Sequence, residues 1–361
     1  MDFEVLNQIP QCKTLLEIDS PITFREVNKA INKLNVGKSP GLIGILPEGL
    51  KAMGKGMRRR VHQYVADFFD GTQDYEGWHR SQCVPVPKKG NLSDPNKWRG
   101  VMLMDVASKV FSSVMNDQAF QLLELHGTQL QFGGSPEIGC RNGLFTLKAL
   151  LNTRRNHNLP SFVGFVDLVK AYDTANHELL VRLLEKYGAP PKFVAAVRTM
   201  HTNNEVVLKI EKEIEEFMQG VGVCQADNMA PVLFPFLMTA FAETLEIEWR
   251  KQNIKECTVM TLGDEHIGHG QLSSHTPKMF SSKLLMVYSS FQCLYVDNGA
   301  FPFDSRKSLT KGMNLVFHHF AKFDLKMHIG RNGGESKTEF VFFPPPQFFC
   351  KRPLPSIDDN R

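Results

Sequence analysis

The run Ser161–Val166 is short, aromatic and β-branched, and it ends on an acidic residue, Asp167. Such a run reads as a buried strand. The segment after it changes period: Leu179, Leu180, Leu183 and Leu184 recur at helical spacing, and Gly188 with Pro190 and Pro191 ends the pattern. A strand that delivers an acid into a helix cannot belong to an all-helical or all-sheet chain. The same alternation continues elsewhere. Thr23 and Glu26 form a capping box for a helix over 24–36 that Gly37 stops, and Trp78 to Val101 reads as a strand pair around a basic loop. Helical spacing returns from Ser108 to Leu125. Further on, Cys293–Val296 and Ala300–Phe303 flank Asp297-Asn298-Gly299, where Asn-Gly predicts a tight hairpin turn. Met313, Val316, Phe317 and Phe320 then mark a helix, and Phe340–Phe343 a strand. Strands interleaved with helices place the chain in the α+β or α/β class.

At 361 residues with 42% apolar content, the chain can build one large domain or two to three subdomains sharing an interface. Its longest apolar stretch, Met229 to Ala242, is interrupted by Pro231, Pro235 and Thr239 and falls short of the ~20 residues of a bilayer span, so no membrane crossing is expected. The N-terminus, with Asp2 and Glu4, does not read as a signal peptide, which implies an intracellular protein, with the nucleus as a candidate compartment. Seven scattered cysteines without a C-x-x-C pair read as free thiols. The net charge of +4 arises entirely within residues 1–110, which hold 16 Lys+Arg against 12 Asp+Glu. Lys51, Lys55, Arg58, Arg59 and Arg60 cluster there, as do Lys88, Lys89, Lys97 and Arg99, a pattern shared by phosphate-contacting surfaces and by ordinary solvated faces. Residues 255–290 are polar and rich in His and Ser and read as an insertion, and the tail from Pro344 is expected to be irregular.

Two acids stand at predicted strand margins, Asp167 after its strand and Asp297 at the hairpin tip. If the strands are neighbours, their carboxylates meet, and divalent cations with oxygen ligands would relieve the repulsion. That arrangement suits phosphoryl transfer, although an acid at a strand end is also what an ordinary turn carries.

Ordered words separate these readings. Phe165-Val166-Asp167-Leu168-Val169-Lys170-Ala171-Tyr172-Asp173, Gly222-Val223-Cys224-Gln225-Ala226-Asp227, Tyr295-Val296-Asp297-Asn298, and Lys337-Thr338-Glu339 after Leu325-Lys326-Met327 follow one another in the chain. In that order they resemble the palm motifs of reverse transcriptases from non-LTR (LINE-type) retrotransposons. Lys38-Ser39-Pro40-Gly41, Val84 to Gly90 and Asn96 to Arg99 resemble the fingers motifs of the same family. The resemblance spans roughly residues 22–345 and implies an α+β right-hand polymerase core. Its parts would be an N-terminal extension (1–21), a fingers-like region (22–158), a palm (159–345) carrying the insertion, and an irregular tail (346–361). Too little chain follows Lys337 for a full thumb.

The implied activity is RNA-directed DNA synthesis from an RNA template, a DNA primer and deoxynucleoside triphosphates. Asp167 and Asp297 would hold two Mg²⁺ (or Mn²⁺) ions, helped by the carbonyl of Leu168. Tyr172 would lie under the sugar and exclude a 2′-hydroxyl, unless it is simply a core aromatic. Gln225 and Ala226 would line the nucleotide pocket, Lys88 and Arg99 would neutralise phosphate charge, and Lys337 would assist the leaving pyrophosphate unless it is a solvated surface lysine. The chain departs from the family pattern at Ile43, where aspartate is expected, at Ala226 for glycine, at Asn298 for the second aspartate, at Asp324 for glycine and at Gln118 for arginine. These departures point to a degenerate copy with weakened activity. The rival reading is a domain that binds nucleic acid without chemistry, and a zinc site from Cys257, His266, His269 and His275 is a further alternative.

Overall fold

Helix and sheet alternate through the protein, as the switch of period after Asp167 requires. The computed structural model describes residues 3–134, 138–202, 204–210, 212–223, 228–254, 257–262, 285–290, 292–330 and 335–347. Its helices are α1 (Phe24–Lys33), α2 (Pro47–Ala52), α3 (Lys55–Phe69), α4 (Val106–His126), α5 (Cys140–Asn156), α6 (Ala171–Thr174), α7 (His177–Lys186), α8 (Pro191–His201), α9 (Ala230–Lys251) and α10 (Arg306–Lys322). The strands are β1 (Arg80–Pro87), β2 (Trp98–Leu103), β3 (Ser161–Val166), β4 (Asn204–Ile210), β5 (Glu213–Gln219), β6 (Cys257–Leu262), β7 (Leu285–Ser290), β8 (Cys293–Tyr295), β9 (Asn298–Phe303) and β10 (Glu339–Phe343). The chain divides into two compact units, one built from residues 1–127 and 170–240, the other from 128–169 and 241–361.

In the first unit the sheet order is β2-β1-β4-β5. β1 pairs antiparallel with β2 and parallel with β4, but β4 covers only Arg80–Cys83. Pro85 and Pro87 lie beyond that stretch. Because Lys88 donates its N–H to Lys97 on the β2 side, the alternation of the strand turns the nitrogens of Pro85 and Pro87 to the other edge, so neither proline breaks the β1–β2 ladder. α1 begins with the expected capping box, in which Thr23 and Glu26 cap each other. It stops at Lys33 rather than running to residue 36, because Leu34 turns extended. Val27 and Ile31 of α1 are buried, and Phe68 sits between Trp78 and Phe111 at ring-centroid distances of 4.7 and 4.9 Å.

The second unit carries the sheet β10-β3-β9-β8, all antiparallel, and a separate β6–β7 ribbon. β3 is covered on both faces, in keeping with its apolar run Phe162–Val166. On one face Leu147 of α5 packs with Val163 and Ala300. On the other, a Cβ at Gly164 would stand 2.5 Å from the sulfur of Met313, and one at Gly312 would stand 2.2 Å from Phe303 Cε1. Those two glycines let α10 lie directly on the sheet. Of the insertion read at 255–290, Cys257–Leu262 and Leu285–Ser290 form the β6–β7 ribbon, and the remainder, with His266, His269 and His275, lies outside the described residues.

The apolar stretch Met229–Ala242 lies largely in α9. This is one continuous helix, with Pro231 in its first turn and Pro235 inside. Its length and apolarity would suffice for a membrane span, yet 78% of its most apolar window is buried inside the protein. Its C-terminal half packs on α10 through Phe241 and Phe320, stacked at 3.9 Å, and Trp249 meets Phe301 and Phe303 edge-on.

Within this aromatic layer, His319 is 2% exposed, with its Nε2 2.7 Å from the hydroxyl of Thr244. Burial pushes its pKa down from 6.5 to about 4. The unfolded chain therefore takes up a proton that the folded imidazole refuses, so the contribution of His319 is full above pH 6.5 and is lost as the pH falls toward 4. Replacing His319 with Gln should flatten that dependence. Between about pH 7 and about pH 4.5 the variant should lose less melting temperature than the wild type; equal losses by calorimetry would contradict the assignment.

Candidate active site

β3 and β9 place the acids. Their register runs from Phe162 opposite Phe303 to Val166 opposite Gly299. Asp167 follows Val166 directly, and Asp297 precedes Asn298 on the neighbouring strand, so both carboxylates emerge at the same end of two strands spaced about 5 Å apart.

The hairpin itself is closed differently from the sequence expectation. Tyr295 pairs with Asn298, so the two-residue turn is Val296-Asp297, and Asn298 and Gly299 belong to β9. A Cβ at Gly299 would stand 2.7 Å from Phe301 Cε2, which shows that this glycine serves packing rather than the turn. The positive φ that the turn needs falls instead on Val296, at 56°.

Asp167 has a side chain 20% exposed, and Asp297 is half-buried. Burial first, and then the charge of Asp167, push the Asp297 carboxyl above the ordinary carboxylate range, while its own backbone N–H and, less strongly, Lys337 pull the other way. The ammonium of Lys337, itself 64% exposed, lies 2.9 Å from Asp167 Oδ2. Apart from this ion pair, Oδ2 has no hydrogen-bond partner among the described residues. Asn298 donates its amide to Asp297 Oδ1 at 3.2 Å. Beyond β3 the chain stays extended: His328 donates its N–H to the Asp167 carbonyl and Val169 donates to Lys326. Successive carbonyls of an extended chain point to opposite edges, so that of Leu168 faces the β9 side.

Two crowded carboxylates, one with an oxygen held only by an exposed ammonium, and a main-chain oxygen turned toward them form a hard-oxygen donor set of the kind divalent cations take. Among the described residues no cluster of three or more His, Cys, Asp or Glu side chains could hold a metal, so the fit rests on this pair. Removing one of the repelling charges should stabilise the metal-free protein. Asp297→Asn should raise its melting temperature by about 2 °C at neutral pH; a fall would mean that the carboxylate is held by favourable contacts instead.

The other expected site residues lie in the first unit. Tyr172 is half-buried and stacks on Phe234 at 4.7 Å, so it is packed and still partly open to solvent. Its carbonyl accepts the N–H of Val223, and Gly222 donates to Ala175. Gly222, at φ +86°, passes so close to Asp173 that a Cβ would sit 2.5 Å from its carbonyl oxygen. Gln225 and Ala226, just beyond, lie outside the described residues.

Lys88, Lys89, Lys97 and Arg99 gather, exposed, at the end of the β1–β2 hairpin. In the upstream cluster Lys55, Arg59 and Arg60 are exposed as well, but Arg58 donates to Asn28, Asn32 and the carbonyls of Met53 and Lys51, and Lys51 donates to Leu34, so these two half-buried cations brace the helices. Charge reversal of Lys88, Lys89, Lys97 and Arg99 should therefore weaken nucleic-acid binding and flatten its salt dependence, whereas Arg58→Ala should lower the melting temperature and leave the salt slope unchanged. Binding isotherms across a salt series would expose the opposite pattern.

One contributor to the acid pair lies in a word already quoted, Leu325-Lys326-Met327, and acts through its backbone, whereas Gln131, which reaches the hairpin from a distant part of the chain, carries no sequence signal of its own. Asp324, where the family pattern has glycine, occupies the left-handed conformation at φ 56° that favours glycine, and Gln118 is buried on α4.

A family model described as reverse transcriptase (RNA-dependent DNA polymerase) matches residues 86–341. The chain belongs to the reverse transcriptase family. Among curated proteins it is 25% identical to the transposon TX1 uncharacterized 149 kDa protein of Xenopus laevis over 62% of this chain and 17% of that one. It is also 23% identical to the retrovirus-related Pol polyprotein from the type-2 retrotransposable element R2DM of Drosophila melanogaster, over 65% of this chain and 22% of that one. A third relative, the Pol polyprotein of a type-1 element R2 from Bradysia coprophila, is 20% identical over 68% and 27%. The chain thus spans about a quarter or less of these relatives' length, and the likeness to reverse transcriptases of non-LTR retrotransposons holds.

Proposed function

We propose that this chain is the polymerase core of a non-LTR retrotransposon reverse transcriptase, which extends a DNA primer on an RNA template from deoxynucleoside triphosphates. The observation that carries the reading is the delivery of Asp167 and Asp297 to one end of the β3–β9 pair. In this reading residues 22–158 act as fingers and 159–345 as palm.

Asp167, Asp297 and the Leu168 carbonyl would hold two Mg²⁺ or Mn²⁺ ions. When bound, these would lower the pKa of the primer hydroxyl and offset the charge of the attacking and leaving oxygens. The residues do the rest. Lys337, poised against Asp167, can swing its exposed ammonium toward the departing pyrophosphate and offset its charge. Lys88 and Arg99 supply exposed cations for triphosphate or template phosphates. Tyr172, its ring fixed by Phe234, presents a flat apolar surface that suits a deoxyribose and disfavours a 2′-hydroxyl.

Asn298 supports a weakened active site. Its amide occupies an oxygen of Asp297 and brings no charge of its own. Primer extension on an RNA template across a Mg²⁺ titration tests both points. Asn298→Asp should raise the rate roughly 10-fold and lower the Mg²⁺ requirement, and Asp297→Ala should abolish extension. A protein that binds primer–template yet extends nothing, with or without Asn298→Asp and Ala226→Gly, would favour nucleic-acid binding without chemistry.

A further inference from the structure

The turn that carries Asp297 is held from outside the hairpin. Val296, with a β-branched side chain at φ 56°, occupies a conformation that such residues avoid. A strained residue persists only where its surroundings over-determine it. Gln131 supplies that determination. Its side chain is 5% exposed, its Oε1 accepts the Val296 N–H at 2.8 Å and its Nε2 donates to the Val296 carbonyl at 3.1 Å. The same Oε1 accepts from Gly133 at 3.1 Å. One amide therefore grips both main-chain groups of Val296, and its own orientation is locked by a third bond.

The backbone around Gln131 reinforces the grip. Phe132 donates to Leu294 and Leu294 donates to Leu130, each at 2.8 Å, so residues 130–132 run beside β8 as an added strand segment. Gly133 leaves the space that Val296 fills, since a Cβ there would stand 2.3 Å from Val296 Cγ2.

We propose that Gln131 is a positioning residue for the reaction centre: by clamping Val296 in the left-handed conformation it fixes where the next residue, Asp297, projects its carboxylate. The role rests on the polymerase reading, because it concerns a carboxylate which that reading assigns to metal binding. Gln131 touches no substrate and acts only through the turn.

Gln131→Met keeps the length of the side chain and removes all three hydrogen bonds, while Val296→Gly lets the turn adopt positive φ without a clamp. Hydrogen exchange reads the clamp without any activity. Gln131→Met should speed exchange of the amides at 294–299 about 10-fold or more and leave β3 and α10 unchanged. In primer extension the same variant should lose about 10- to 100-fold in kcat, with KM for the nucleotide nearly constant, since a small displacement of a reacting group costs rate rather than affinity. Adding Val296→Gly should recover most of the lost kcat, which a merely structural role would not produce. Unchanged exchange at 294–299, unchanged kcat in a wild type that extends primers, or no recovery in the folded double variant would each overturn the proposal. So would loss of folding in both variants, which would make Gln131 a residue of global stability. A wild type that extends nothing would count against the polymerase reading alone, and the exchange pattern would then decide the clamp.

Discussion

Asp167 and Asp297 repel each other in a partly buried setting, and the architecture around them is what keeps them together. Burial and the charge of Asp167 both disfavour the ionised form of Asp297, whose pKa is raised. Nothing apolar at that position offsets the cost. The pair therefore depends on backbone that cannot relax: β3, enclosed by α5 on one face and α10 on the other, the Lys326–His328 segment bonded to its continuation, and a hairpin gripped by Gln131. These supports fix the backbone that carries the carboxylates rather than the carboxylates themselves.

The side chains next to the pair temper it in opposite ways. Lys337 brings a positive charge to Asp167 and leaves most of its own surface in water, so its hold is weak and reversible. Asn298 occupies one Asp297 oxygen with a neutral amide. An ammonium can withdraw when a cation arrives. An amide on the adjacent residue has less freedom to do so.

Sequence reasoning reached the elements whose causes are local. The bounds of β3 follow from an apolar run enclosed on both faces, and α1 starts at a capping box that Thr23 and Glu26 form between themselves. It failed where a residue answers to a distant partner. Gly299 looks like a turn glycine beside Asn298, but its missing side chain makes room for Phe301. Arg58 looks like a phosphate contact and instead satisfies carbonyls and amides at the base of the neighbouring helices. Gln131 is the extreme case, bonded to a residue 165 positions away. No window of sequence displays such a contact.

The parallel pairing of β1 with β4 has a consequence for biosynthesis. A ribosome releases β1 and β2 long before β4, because the residues of α5 and β3, which belong to the other unit, are made in between. During that interval the Arg80–Cys83 edge of β1 has no neighbour and is open to mispairing with another nascent chain. Pro85 and Pro87 shorten the hazard. They aim ring carbons instead of N–H donors along the same edge, so an intruding strand finds only the first few residues of β1 able to bond. The two prolines thus act as a guard on an edge that translation order leaves waiting.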